Sequence, residues 1–380
     1  DTIICGISAI EYWRAPPVVG LLASCEEDDP LLRGVASAEE LLMARRQVFE
    51  SSPLGRKVIP GGYAWNAAGE HTHRIAEAAP YLAHALSLPV HILVSSSRQM
   101  HESTVIKPCL WSATIPFGSL QQIGDGLWVQ RPEFALLQLM GSSPLGNSAL
   151  LVAEHIGAYS PYRAPRPYLT LMDGVARRGG RGLFDGWKPV KRKDGSFADL
   201  WSRGPLCTPE GLAEIAEVAE TKRGARRLKD LSSHIAPGAA SPFEAKTGIM
   251  LGLPRALGGE GHEGMSFNAR IDLNREARNL AKRHHCFADL FWEDAALDLE
   301  CQSGLAHDNE EGYLSDADRA SALMHMGVTV LPVTYGQLKD DRSFAALSAT
   351  VASLRGVALR KRGPHQEELA SQLRDDLFGR

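Results

Sequence analysis

Cysteine is scarce in this sequence, and its placement argues against the common cysteine-based sites. The 380-residue chain has six cysteines, none of them in a CxxC pair, so neither a zinc finger nor a thioredoxin-type motif is indicated. A disulfide framework is typical of short secreted domains rather than of a chain this long. We therefore expect reduced, mostly buried thiols at all six positions, which are Cys5, Cys25, Cys109, Cys207, Cys286 and Cys301.

Long hydrophobic runs and an excess of positive charge are also absent. No apolar run approaches the ~18–20 residues that a membrane-spanning helix needs, so we expect no membrane partner. Lys and Arg total 41 against 45 Asp and Glu, a net charge of −4, so any contact with DNA must come from local basic patches. Nothing at the start of the chain resembles a signal peptide, and we expect a cytoplasmic protein.

The composition that is present fits a globular α/β protein of several domains. Hydrophobic residues make up 44% and charged residues 23% of the chain, which are ordinary values, and the length suggests two or three domains. The pattern of elements divides the chain into a mixed α+β domain at 1–172, a basic linker and helical region at 173–240, a third domain at 241–345 and a helical tail at 346–380.

The third domain has the clearest succession of elements. Ser241 and Glu244 form a capping box with proline between them, which predicts the start of a helix. Alternating apolar residues and turn signals then predict strands. The predicted order is helix, three strands, helix, strand, with the strands at 269–273, 285–291, 296–302 and 328–333 and the second helix at 315–326.

Two acidic residues lie inside otherwise apolar strands of this domain. Asp289 is in the second strand and Glu300 in the third, and paired strands lie about 4.7–4.9 Å apart. Glu244 comes from the preceding helix, although its capping role explains it equally well. Asp298 is a rival ligand on the same face as Glu300. Hard carboxylate oxygens are the ligands that Mg²⁺ or Mn²⁺ prefers, and such an ion activates water for phosphodiester hydrolysis.

The order Glu244, Asp289, Glu300-Cys301-Gln302 resembles the PD-(D/E)XK nuclease superfamily. That resemblance implies a restriction-endonuclease-like mixed sheet flanked by helices, with Glu244, Asp289 and Glu300 holding the metal ion. The family's third motif often ends in Lys or Asp, whereas this chain has Gln302. A glutamine can orient a water molecule by hydrogen bonds but cannot take its proton, so activity would depend on the metal itself.

The runs DLECQSGLAH and SDADRASALMHMGVTVLPVTYGQL more closely resemble the very-short-patch-repair-like endonuclease domain. The resemblance covers about 100 residues (241–340) and matches His307 to a histidine after the third strand, and Asp316 with Arg319 to a helix pair. It implies that these three residues contact DNA. Asp316 also fits a helix cap, and a solvated position is the ordinary alternative for His307 and Arg319.

The remaining cues are weaker. The segments PVHILV, IPFGSL, GLWVQRPEFALLQL and SPFEAK resemble proteins in which a nuclease-like domain follows an abortive-infection antitoxin-like region. Basic stretches near 177–193 and 222–229, the second including Arg226 and Arg227, are candidate phosphate contacts. Solvated surface is the alternative for both stretches.

These observations favour a Mg²⁺- or Mn²⁺-dependent DNA endonuclease acting in phage defence or DNA repair. One alternative is a catalytically inactive DNA-binding regulator of antitoxin type. Another is a component of a defence system that binds a protein partner.

Overall fold

The computed structural model describes residues 1–26, 37–58, 69–177, 184–192, 194–302, 310–359 and 361–379. The strands are β1 Thr2–Ile4, β2 Val90–Val94, β3 Ile106–Leu110, β4 Leu120–Gly124, β5 Leu127–Gln130, β6 Tyr159–Ser160, β7 Lys188–Lys191, β8 Phe197–Ser202, β9 Ser266–Asp272, β10 His285–Trp292, β11 Leu297–Gln302 and β12 Thr329–Thr334. The helices are α1 Gly6–Arg14, α2 Pro17–Ser24, α3 Ala38–Ser51, α4 Pro53–Val58, α5 Glu70–Leu82, α6 Pro132–Met140, α7 Leu145–His155, α8 Arg166–Arg177, α9 Pro209–Val218, α10 Ala225–His234, α11 Pro242–Gly252, α12 Arg275–Ala281, α13 Glu310–His325, α14 Tyr335–Lys339, α15 Asp341–Leu354 and α16 Pro364–Phe378.

The chain is a mixed α/β protein, and the strands within its described residues form three sheets. The first sheet has the order β3-β2-β1-β5-β4, with β1 parallel to β5 and antiparallel to β2. The second has the order β12-β11-β10-β9, and a small third sheet has the order β6-β8-β7. Among the described residues no helix combines the length and apolar character needed to cross a membrane.

The second sheet contains the strands with the acidic residues. β9, β10 and β11 are antiparallel neighbours, whereas β12 runs parallel to β11. A parallel neighbour requires a crossover connection, and α13 lies in that connection. The predicted helix, three strands, helix and strand occur in that order, with one further helix among them. The sequence patterns did not predict α12, a short helix between β9 and β10.

Two other segments differ from the sequence expectation. The single helix expected over 208–232 is two helices, α9 and α10, because Gly224 has a left-handed backbone with φ of 101°. A Cβ at Gly224 would lie 2.7 Å from the backbone nitrogen of Gly141, so only glycine fits this turn. The segment 173–204, expected to be rich in loops, contains β7 and β8.

The two faces of β11 pack against different parts of the molecule. Leu297, Leu299 and Cys301 belong to the main hydrophobic cluster, which also contains Ile92 of the first sheet and Leu377 of α16. Side chains alternate along a strand, so Asp298 and Glu300 point to the other face. There a smaller cluster joins α12 and α13 to the sheet, with members that include Ala277, Ala322, Leu323 and Cys286.

The division into four segments stays a prediction. The main hydrophobic cluster includes Val129, Leu299 and Leu377, one residue from each of three predicted segments. Burial of apolar surface therefore connects the segments, and the acidic strands are held on the same core as the first sheet.

Leu299→Ala tests how far this core stabilises the acidic strands. Leu299 is fully buried, so we expect the free energy of unfolding to fall by about 2–5 kcal/mol, the usual cost of removing a core leucine. Leu280→Ala is the matched control, because Leu280 is 43% exposed and its loss should change stability by about 0.5 kcal/mol or less. Urea denaturation measures both. Equal losses in the two variants would contradict the packing described here.

Candidate active site

Asp289 is oriented by a backbone donor from the neighbouring strand. Its Oδ2 accepts a hydrogen bond from the backbone N–H of Cys301 at 2.8 Å. Antiparallel pairing of β10 with β11, which matches Leu290 to Leu299, brings the Asp289 side chain next to the residue that follows Glu300. The two acidic residues picked out in the sequence therefore lie at the same end of one strand pair.

Glu300 is held by an arginine from the helix above the sheet. Arg319 of α13 forms an ion pair with Glu300 through its Nη2. Its Nη1 donates to the backbone oxygen of Phe287 at 2.7 Å. Burial alone would lower the pKa of Arg319, but the bond to Glu300 and the charge of Glu300 outweigh burial, and the pKa is raised. Arg319 therefore acts as a fixed cation at this site.

Asp298 is the most deeply buried acid of the group. Its exposed fraction is 0%, and its strand neighbours in register are the apolar residues Phe291 and Val330. Neither carboxyl oxygen of Asp298, nor Oε1 of Glu300, has a donor among the described residues. Burial raises the pKa of Asp298, and so do hydrogen bonding to Glu300 and the charge of Glu300. Both carboxyls thus keep buried oxygens that no described donor satisfies.

Glu244 occupies the capping position predicted from the sequence. Its Oε2 accepts from the backbone N–H of Ala240 at 2.8 Å, and Ser241 Oγ donates to its Oε1 at 2.9 Å. Asn268 Nδ2 also donates to Oε2 at 3.1 Å and to the carbonyl of Gly238 at 3.0 Å. Burial raises the pKa of Glu244 although these donors oppose the shift, and the charge of Glu300 raises it further. Both oxygens of Glu244 are thus engaged by local donors.

The pKa of Asp289 shows that the acids influence one another. It is raised to about 7, first by burial and then by the negative charges of Glu300 and Glu244. The N–H of Cys301 and the charge of Arg319 oppose this shift. Pairs of acids in which each negative charge raises the pKa of the other are frequent in catalytic and metal-binding sites.

Of the other sequence candidates in this domain, Gln302 alone has a described side chain. Gln302 is exposed at the end of β11, opposite Thr334 of β12. His307 lies outside the described residues, as does the side chain of Asp316. The site therefore consists of Asp289, Asp298, Glu300 and Arg319, with Glu244 at its edge.

The two candidate arginines at 226 and 227 have different environments on α10. Arg226 is 96% exposed and lies 3.9 Å from Asp230. Arg227 donates to the backbone oxygens of Met140 and Ser143 at 2.9 and 2.6 Å. Arg227 therefore ties α10 to the turn between α6 and α7, and Arg226 is the one that faces solvent.

Asn268, which anchors Glu244 at the edge of the site, was not among the residues predicted from the sequence. Asn268 has a φ of 49° inside β9, a left-handed conformation that asparagine tolerates better than most residues. An asparagine between Phe267 and Ala269 in a strand was the available signal. Within the described part of the chain, no three side chains of His, Cys, Asp or Glu form a set that could hold a metal ion.

The chain was also compared with protein families, with curated proteins and with solved structures. No family model, curated protein or solved structure matches it.

The raised pKa of Asp289 predicts a pH-dependent stability. Its pKa is 3.8 in the unfolded reference and about 7 in the fold. Between these values the folded protein holds a proton that the unfolded chain has released. The contribution of Asp289 to stability therefore falls as the pH rises from about 4 to 7 and is constant above that range. Asp298 and Glu244, whose pKa values are also raised, act in the same direction.

Asp289→Asn should reduce this loss, because the amide oxygen still accepts the Cys301 N–H but carries no charge. The difference in the free energy of unfolding between the variant and the wild type should be about 1–3 kcal/mol more favourable to the variant at pH 8 than at pH 5. This range allows for solvent screening of a partly exposed group. Urea denaturation at the two pH values measures it, and Asp318→Asn, at an exposed position of α13, is the control. If the two variants lose the same stability, Asp289 does not carry the shift.

Proposed function

We propose that residues 241–345 form a metal-dependent DNA endonuclease domain of the very-short-patch-repair-like type within the PD-(D/E)XK superfamily. Support comes from the order of α11, β9, β10, β11, α13 and β12 and from the strand order β12-β11-β10-β9. The sequence resemblance implies a restriction-endonuclease-like mixed sheet, and we interpret this four-stranded sheet as that one. DNA is the proposed substrate, in phage defence or in DNA repair, with a protein partner as a further component.

The proposal depends on one observation. The acidic side chains of the paired strands β10 and β11 have more acceptor oxygens than there are hydrogen-bond donors for them among the described residues. Both oxygens of Asp298 and Oε1 of Glu300 lack a donor, and the ionised form of Asp289 is disfavoured by its neighbours. An isolated buried carboxylate is costly. A proton can compensate this excess of negative charge at low pH, and a hard divalent cation can do so at neutral pH.

The residues present fit such an ion by the chemistry of their donors. Asp289 and Glu300 would hold Mg²⁺ or Mn²⁺, with Asp298 as a further oxygen donor beside Glu300. Glu244 would contribute negative charge at the edge, since both of its oxygens already accept hydrogen bonds. The described side chains do not form a metal-binding set as placed, so binding requires rotation of Asp289 and Glu300.

The ion would supply Lewis acidity, lowering the pKa of a bound water and neutralising charge on the phosphate. The other roles fall to the chain itself. Gln302, exposed at the end of β11, would orient the attacking water by hydrogen bonds. Arg319 would present its remaining donors to a phosphate oxygen. His307, Asp316, Arg226 and Arg227 are proposed DNA contacts, the two arginines both lying on α10.

A second candidate function is DNA binding without cleavage. The ion pair between Arg319 and Glu300 neutralises one proposed ligand, and Gln302 stands where the family often has a charged residue. Both features favour a regulator of antitoxin type that keeps the nuclease fold.

Cleavage of supercoiled plasmid DNA with free Mg²⁺ or Mn²⁺ well above the dissociation constant of a weak site separates these functions. We expect nicking by the full chain and none in EDTA. Asp289→Ala and Glu300→Ala should each lower the rate by about 100-fold or more, as expected when a group that organises the catalytic charge is lost. Glu276→Gln, an exposed acid on α12, is the matched control and should cleave at the wild-type rate.

Gel-shift binding at low salt distinguishes the outcomes. A wild-type chain that binds DNA tightly but never nicks it with either metal would contradict the endonuclease and support the regulator. A chain that neither binds nor cleaves DNA would overturn both, and a protein partner would then be the function to pursue.

A further inference from the structure

A second group of reactive side chains lies on the first sheet, in Cys5, His91 and Cys109. Antiparallel pairing of β1 with β2 matches Ile4 to Ile92, and the backbone N–H of Cys5 donates to the His91 carbonyl at 2.9 Å. Parallel pairing of β2 with β3 matches Leu93 to Cys109. The Sγ of Cys109 lies 3.6 Å from Nδ1 of His91. Three separate segments thus bring two thiols and an imidazole together.

Cys109 is also the accessible cysteine. All six cysteines belong to the described residues; five are buried and Cys109 is partly exposed. It lies on β3, which is an edge strand of the first sheet. A nucleophilic thiol has to meet its reaction partner at the surface, whereas buried thiols are inert. The geometry therefore selects one cysteine out of six.

The surroundings of Cys109 stabilise its negatively charged form. Its pKa is held well below the ordinary value by a hydrogen bond with Cys5 and by the hydrogen bond and charge of His91, although burial opposes the shift. Lys107, exposed two residues earlier on the same strand, adds a smaller effect in the same direction. Burial raises the pKa of the thiols of Cys5, Cys207 and Cys301 instead.

We propose that Cys109 is a covalent-modification site whose thiolate reacts with small electrophiles of the hydroperoxide class. Its sulfur lies 3.6 Å from the imidazole Nδ1 of His91, and Cys109 is partly exposed at the edge of the sheet. This site lies on a different sheet from the acidic cluster and is independent of the proposed endonuclease.

The reaction with hydrogen peroxide balances without a further reactant. The Cys109 sulfur attacks one peroxide oxygen, so that an S–O bond forms and the O–O bond breaks. The sulfur is oxidised by two electrons to a sulfenic acid, and the peroxide is reduced. The departing hydroxide takes the proton that the thiol had passed to His91 Nδ1 and leaves as water. The imidazole is neutral at the end of the step.

Competitive alkylation tests the nucleophilicity of each cysteine. The folded full-length chain is treated briefly with limiting iodoacetamide, then denatured and alkylated with an isotopically distinct reagent, and the peptides are quantified by mass spectrometry. We expect Cys109 to react about 10-fold faster than any other cysteine at pH 7, with a pH midpoint clearly below the ~8.5 of a free thiol. Hydrogen peroxide should then produce a dimedone-reactive sulfenic acid at Cys109 first.

His91→Gln should lower the Cys109 rate about 10-fold and move its pH midpoint upward, because the glutamine keeps much of the volume but cannot hold the proton. His101→Gln, at an exposed position before β3, is the matched control and should leave the rate unchanged. Circular dichroism confirms that each variant is folded. The wild-type pH profile is decisive even if His91→Gln fails to fold: a midpoint at or above ~8.5, or labelling of Cys109 no faster than of the buried cysteines, overturns the proposal.

Discussion

The ion pair between Glu300 and Arg319 is the interaction on which the acidic face of the second sheet depends. Asp289, Asp298 and Glu300 lie on two paired strands, and α13 covers that face. Desolvation of three carboxyls under a helix would cost several kcal/mol for each ionised group. Arg319 offsets part of this cost, and its second bond to the carbonyl of Phe287 fixes the helix above the strands. Removing the guanidinium would leave the acids to be neutralised by protons alone.

Arg319 offsets only part of the cost of burying these acids, and the carboxyl oxygens that are left without a donor favour a functional role over a purely structural one. A buried network built only for stability satisfies its acceptors, yet both oxygens of Asp298 and one of Glu300 have no donor among the described residues. Asp289 keeps a raised pKa although it accepts a backbone N–H and has an arginine nearby. A locally destabilising cluster of acids on a sheet that is otherwise well packed is typical of a site that binds a charged partner.

Local patterns in the sequence were enough to predict the strands that form the site. Apolar alternation located β10, β11 and β12, and an acid inside each of two apolar strands drew attention to Asp289 and Glu300. The burial of Asp298 and the clamp from Asn268 to Glu244 were not predictable, because they depend on the helix packed above the sheet and on a left-handed residue within β9. The break at Gly224 depends likewise on the close approach of Gly141, a contact distant in sequence.

Cys109 likewise gave no signal in the sequence. Its neighbours Cys5 and His91 are 104 and 18 residues away along the chain, and only the strand order β3-β2-β1 brings them together. In both sheets the pKa of a partly buried group depends on partners from other strands. On the second sheet a surplus of acceptors raises the pKa values of the acids. On the first sheet a surplus of donors lowers the pKa of the Cys109 thiol. The direction of each shift therefore follows from tertiary pairing, which leaves no trace in local composition.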